Sequence, residues 1–167
     1  MKRWLKITLI GISSLSLISW DRATKDLAKE HLMNQEPLSY FHDTFRLEYV
    51  ENTGAAMSLG DSLPPVISFW LLGILPLAFL LFLFAYTIKR SNEMSFMKMF
   101  SFALIISGGL GNIIDRLLFD RHVTDFMNIG INNFRTGIFN FADVCVTAGA
   151  ICLLFFYREK KTEIKQA

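Results

Sequence analysis

The sequence predicts an α-helical integral membrane protein with four transmembrane helices and both termini in the cytoplasm. It also predicts a small β element in the first extracytoplasmic loop. Three observations carry this expectation. The 167 residues are 52% hydrophobic and 19% charged, below the roughly 25% charge of soluble domains. The apolar residues come in long runs, and the basic residues cluster at alternate ends of those runs. The net charge of +2 gives no argument for a nucleic-acid partner, so where the charges sit matters more than their sum.

A bilayer core of about 30 Å needs about 20 helical residues. Four segments meet or approach that length: 4–20, 66–88, 97–118 and 138–157. The first is short, with Lys6 placed to snorkel toward head groups. Pro64–Pro65 precede the second and Lys89–Arg90 follow it. The third keeps an uncharged centre from Met99 to Ile114. Lys2, Arg3, Lys6, Lys89, Arg90, Lys98, Arg158, Lys160, Lys161 and Lys165 make ten of the 17 basic residues, against three of the 15 acids in the same regions. The positive-inside rule therefore puts these regions in the cytoplasm, and 21–65 and 119–137 outside. A single membrane domain, 1–167, is expected.

A basic start followed by "ITLIGISSLSLIS" also fits a cleaved signal peptide. Against that reading there is no A-x-A site, and Trp20-Asp21 follows the apolar run directly. No lipobox cysteine is present, so the chain is not expected to carry lipid itself. In the first outer loop "DRATKDLAKEHL" (21–32) has helix-forming composition and either extends span one or lies on the surface. Alternation of Phe45, Leu47 and Tyr49 with Arg46, Glu48 and Val50 predicts a strand ending in an Asn-Thr-Gly turn. Cys145 and Cys152 share a helix face at membrane depth and read as small packing residues.

The polar residues beside the spans are not scattered. Gly108, Asn112, Asp115 and Arg116 fall on one face of span three, with Ser107 and Gly111 keeping that region thin. Asn140, Asp143 and Thr147 share a face of span four, and Asp125 lies between the spans amid Val123, Thr124 and Phe126. Asp115 beside Arg116 also fits an interfacial ion pair, and Asn112 and Asn140 fit interhelical glue. Asp143 is harder to absorb, because an ionisable group within a span costs several kcal/mol unless paired or hydrated, at least about 3.

These residue types limit the chemistry. There is no Ser nucleophile in G-x-S-x-G context and no H-E-x-x-H, and His31, His42 and His122 lack ligand spacing. A route needing no metal or cofactor remains. Two aspartates sharing one proton can activate water, hold a carbonyl oxygen and protonate a leaving amine. The rival reading is a small ion- or proton-coupled carrier using the same carboxylates. It is disfavoured because Met99–Ile106 and Cys152–Tyr157 are nearly all apolar, leaving no path through.

Five blocks, "DRATK" (21–25), "ENTGAAMS" (51–58), "GGLGNIIDR" (108–116), "VTDF" (123–126) and "FNFAD" (139–143), resemble in order the signature blocks of lipoprotein signal peptidase, or signal peptidase II. The resemblance implies a bacterial inner-membrane aspartic endopeptidase. Such enzymes cleave prolipoproteins just before a diacylglyceryl-modified cysteine. It implies Asp125 and Asp143 as the catalytic pair, with Asn52, Gly54, Asn112, Asp115, Arg116 and Asn140 lining or bracing the site. Asp21 and Lys25 match the first block. It also implies an outer β cradle, a cleft for signal helix and lipid, and inhibition by globomycin-type cyclic peptides. Arg22 stands where Gln is expected, Met57 where an aromatic is usual, and "FDR" (119–121) lengthens one connection.

Overall fold

The computed structural model describes residues 2–54 and 63–156. The loop around Met57, the expected end of span four at Tyr157 and the basic tail lie outside the described residues. Helix α1, Arg3–Leu32, runs 30 residues without a break, about 45 Å at 1.5 Å per residue. It does not stop at Trp20, because no Gly or Pro follows before Pro37 and the intervening residues favour helix. Past the apolar run, its buried residues are Asp21, Lys25, Ala28 and Leu32, one stripe at helical spacing.

Helix α2 spans Pro65–Lys89 and contains a π-helical segment, Phe69–Ile74, just ahead of Pro76. A proline ring crowds the carbonyl four residues back and offers no N–H, and a widened turn accommodates both. Trp70, Leu75, Phe79 and Phe82 on α2 are exposed, as are Leu154 and Phe155 near the chain's far end. Apolar side chains displayed this way call for an apolar surrounding medium. Helix α3, Phe96–Leu118, is the central and most buried helix, its first turn capped by Ser95 Oγ accepting from Lys98 N. By length and composition α2 and α3 are each able to cross a bilayer, and α4, Phe141–Phe156, is apolar but shorter.

A packed core of Ile10, Leu83, Met94, Met99, Phe102, Ala103 and Ile106 joins α1, α2 and α3 toward one end. There the basic N-terminus meets the α2–α3 link: Arg3 donates to Ser91 Oγ and to Ile88 O, and Lys6 to Met94 O. At the other end α3 and α4 approach closely. A Cβ on Gly108 would lie 2.3 Å from Ala142 O, and one on Gly111 2.6 Å from Asp21 Oδ2. Both positions require the missing side chain.

The β element is larger than expected and comes only half from the first loop. Strands β1 (Leu38–Tyr40), β2 (Phe45–Asn52), β3 (Val123–Ile131) and β4 (Phe134–Arg135) form one antiparallel sheet in that order. Residues 119–137, where the sequence predicts no strand, supply β3 and β4. An extra residue in β2 between Leu47 and Val50 shifts the register, so that Val50 faces Asp125 and Asn52 faces Val123. Phe139 pairs with Met127 on β3, which holds 138–140 in extended form and delays α4 to Phe141 rather than Ile138. Ala28 and Leu32 of α1 pack with Phe126 under the sheet, and Leu47, Tyr49 and Met127 cover them.

Candidate active site

Asp143 is not in mid-helix. It stands in the first turn of α4, where Asn140 is the residue that starts the helix. Asn140 Oδ1 accepts from Asp143 N at 3.0 Å, and Asp143 Oδ2 accepts from Asn140 N at 3.0 Å. This reciprocal pair is a capping box built with Asp. It satisfies two backbone donors at the helix start and fixes the carboxylate's direction. The sequence "FNFAD" thus places an acid where the helix dipole favours negative charge.

Asp125 arrives from the sheet. Its backbone is held opposite Val50, and its side chain is only 3% exposed as a residue. Asn52 Nδ2 donates to its Oδ2 at 2.9 Å, and Asn140 Nδ2 to its Oδ1 at 2.6 Å. Asn52 keeps its orientation because its own Oδ1 accepts from Gly54 N. Asn140, fully buried, therefore touches both acids, Asp125 through its side chain and Asp143 through its backbone and side-chain oxygen.

Asn112 on α3 completes the ring. Its Nδ2 donates to Asp143 Oδ1 at 2.8 Å, while its Oδ1 accepts from Lys25 Nζ at 2.9 Å and Asn140 Nδ2 at 3.1 Å. Asp125, Asp143, Asn52, Asn112 and Arg116 line one cavity of about 880 Å³. Its remaining walls include Leu72, Pro76, Ile113, Val144, Val146 and Ile151. The cavity is therefore polar where the acids meet and apolar along the helices.

Asp115 and Arg116 do not pair, contrary to the ion-pair alternative. Adjacent residues on a helix point about 100° apart, and here they serve different neighbours. Arg116 turns to the cavity, donating to Gly54 O at 2.7 Å and Asn112 O at 3.3 Å, with its buried Nε unpartnered among the described residues. Asp115 turns to α1. Arg22 Nη1 donates to its Oδ1 at 2.9 Å, and Lys25 Nζ lies 2.8 Å from its Oδ2. That second contact is a charge pair without an aligned hydrogen bond. Lys25 also donates to Asp21 Oδ2, whose Oδ1 accepts from Ala142 N. Asp21, Lys25 and Asp115 thus form a buried cluster behind Asn112 and do not line the cavity. Arg22, which departs from the expected block, joins that cluster, reaches Asp26 and lies over the Phe119 ring. Its role had no signal in the sequence beyond helical spacing from Asp26.

Burial is the main influence on Asp125 and pushes its carboxyl up to about 6. Nearby Asp143 adds to the rise, and the Asn52 and Asn140 donors oppose it. The unfolded chain ionises this acid near pH 4 and the folded one near 6, so the folded state binds more protons in between. Stability from this group is present at pH 4 and lost as pH rises through 6. Thermal unfolding of Asp125→Asn beside the parent should therefore show the variant gaining, from pH 4 to pH 7, about 3 kcal/mol relative to the parent. A pH-independent difference would show that Asp125 does not carry this proton.

A mainly helical protein with outward apolar faces, and with buried Asp125 and half-buried Asp143 on one cavity, is built as a membrane enzyme. Two solved structures described as bacterial membrane enzymes by the in meso method share the fold. One has a TM-score of 0.77 at 24% identity over 96% of this chain and 94% of its own, the other 0.75 at 24% over 92% and 95%. The chain belongs to the signal peptidase II family: the profile described as signal peptidase (SPase) II matches residues 13–158. It is 34% identical to the lipoprotein signal peptidase of Borrelia duttonii (strain Ly) over 158 residues, covering 89% of this chain and 90% of the relative. It is 33% identical to that of Borreliella burgdorferi (strain ZS7) over 161 residues, covering 90% and 92%. Family membership supports lipoprotein signal peptidase function, a protease acting on prolipoproteins in a bacterial membrane.

Proposed function

We propose that this protein is an aspartic endopeptidase of the bacterial inner membrane. It removes the signal peptide just before a diacylglyceryl-modified cysteine, and Asp125 and Asp143 are its catalytic pair. The observation that carries the reading is Asn140, which joins both carboxylates within hydrogen-bond reach at the polar end of the cavity. Asp125, whose carboxyl burial pushes up to about 6, is the member assigned the shared proton. Asp143 takes a proton from water as its oxygen attacks the scissile carbonyl carbon. Asp125 gives its proton to the carbonyl oxygen, and a tetrahedral diol forms. The C–N bond then breaks. The cysteine amine leaves with the proton held by Asp143, Asp125 regains one from the diol, and the signal peptide ends in a new carboxyl group.

The whole chain acts as one membrane domain, with all four helices crossing and both termini cytoplasmic. The meeting of Arg3 and Lys6 with the α2–α3 link supports this, since it gathers basic residues at the end of α3 opposite the acids. The site then lies at the extracytoplasmic boundary. The apolar wall takes the signal helix and acyl chains, and Asn52, Gly54, Asn112, Arg116 and Asn140 orient the acids and the substrate backbone. Globomycin-type cyclic peptides compete for the same cavity.

The test is cleavage by the purified protein in lipid–detergent micelles, followed by mass. A diacylglyceryl-modified precursor should yield one product beginning at the modified cysteine, and the unmodified precursor none. Equal cleavage of both, or a cut elsewhere, would remove this specificity.

A further inference from the structure

An asparagine side chain has two ends of nearly equal shape, and only its neighbours decide which end faces which. At Asn112 the deciding neighbour is Lys25. An ammonium has donors and no acceptor, so the end of Asn112 at 2.9 Å from Nζ must be oxygen. The opposite end is then the N–H₂ group, 2.8 Å from Asp143 Oδ1. Asn140 Nδ2 supports the same orientation from 3.1 Å, but it also serves Asp125 at 2.6 Å. The charged donor is the stronger anchor. Lys25 is itself held still. It is 0% exposed, bonded to Asp21 Oδ2 at 2.8 Å and flanked by Asp115 Oδ2 at 2.8 Å.

We propose that Lys25 is a positioning residue for the reaction: its ammonium locks the Asn112 amide so that the amide nitrogen always faces Asp143. Lys25 touches no reacting atom. Without it, Asn112 can turn its oxygen toward Asp143, setting two acceptors against each other and displacing the carboxylate that works on water. The proposal rests on the reading of Asp143 as a catalytic acid.

Removing Lys25 alone would strand Asp21 and Asp115, so Asp115 is neutralised together with it. Lys25→Met with Asp115→Asn removes one positive and one negative group, leaving Arg22 and Asp21. Compared with Asp115→Asn alone, the double variant should keep its folding and its KM while kcat falls about 10- to 100-fold, the cost of a misplaced group. In protein with ¹⁵N-labelled asparagine, the Asn112 side-chain amide signal should broaden or split. Equal kcat in the two variants with a single sharp Asn112 signal would overturn the proposal.

Asn112→Asp covers the case in which the double variant does not fold. It keeps an oxygen for Lys25 but presents an oxygen to Asp143, so kcat should fall about 100-fold with KM held. Unchanged kcat would also overturn the proposal. Asp143→Asn in parallel separates the two readings. If that variant still cleaves, the catalytic pair fails. If it is inactive while the Lys25 comparison shows no kcat effect, only the lock fails.

Discussion

Asp143→Asn should cleave a lipid-modified precursor on the order of 10⁴-fold more slowly than the parent, the upper range for loss of a positioned acid–base group. The protein should still insert and retain its helix content. The substitution keeps shape, the new amide oxygen can still accept from Asn140 N, and the backbone N–H of residue 143 still donates to Asn140 Oδ1, so the α4 capping box survives. What it cannot do is take a proton from water. Asp125→Asn should be equally inactive, since both acids face one cavity and share one asparagine bridge. Because the two act as a unit, the double variant should be no slower than either single one. Progress curves on purified protein at saturating precursor measure this. If the losses multiply instead, the acids work independently and the shared-proton scheme is wrong.

The way these acids are held explains which parts of the site were legible in the sequence. "FNFAD" was legible as a polar pair beside the last apolar run, and its cap is a local device in which Asn140 and Asp143 satisfy each other within one turn, although the predicted span began at Ile138 and set both residues inside it. The strand signal at 45–52 was local too, and the structure holds it as β2. Strand β3 escaped because Asp125 interrupts its apolar pattern. Its pairing with β2 also crosses more than 70 residues of chain, from Asn52 to Val123. The run "VTDFMNIGI" followed by Asn132-Asn133 did carry β-branched content and a turn, which would have been the available cue.

Long-range electrostatics were the least legible. Asp115 and Arg116 are neighbours in sequence, yet their partners lie on α1 and in the Gly54 turn. Helical geometry says they diverge, but only packing says toward what. The continuation of α1 to Leu32 was one of two courses its helix-forming composition allowed, and packing decides between them. The apolar run ends at Trp20, and the helix persists because Asp21 and Lys25 bury themselves against α3 and the start of α4.

That burial makes Lys25 the position where one substitution should cost most stability. In the cluster, the charges of Lys25 and Arg22 face those of Asp21 and Asp115, and only Asp26 adds an exposed carboxylate. Buried ion pairs add little net stability when intact, but removing one partner leaves an uncompensated charge away from water and costs about 3–5 kcal/mol. Lys25→Met should therefore lower the thermal midpoint in detergent by on the order of 10 °C. Surface Lys29→Met, half-exposed and 3.9 Å from Glu51, should move it by only about 1 °C. Adding Asp115→Asn should recover most of the Lys25→Met loss, because Arg22 then balances Asp21 and no acid is left over. Adding Asp26→Asn instead should recover little, since that carboxylate is already in water. If both second substitutions restore the midpoint equally, net charge on α1 governs stability rather than the buried cluster. The distinction matters for the site, because the Asp21 carboxylate that balances Lys25 also holds Ala142 N at the start of α4, one residue before Asp143, the proposed catalytic acid.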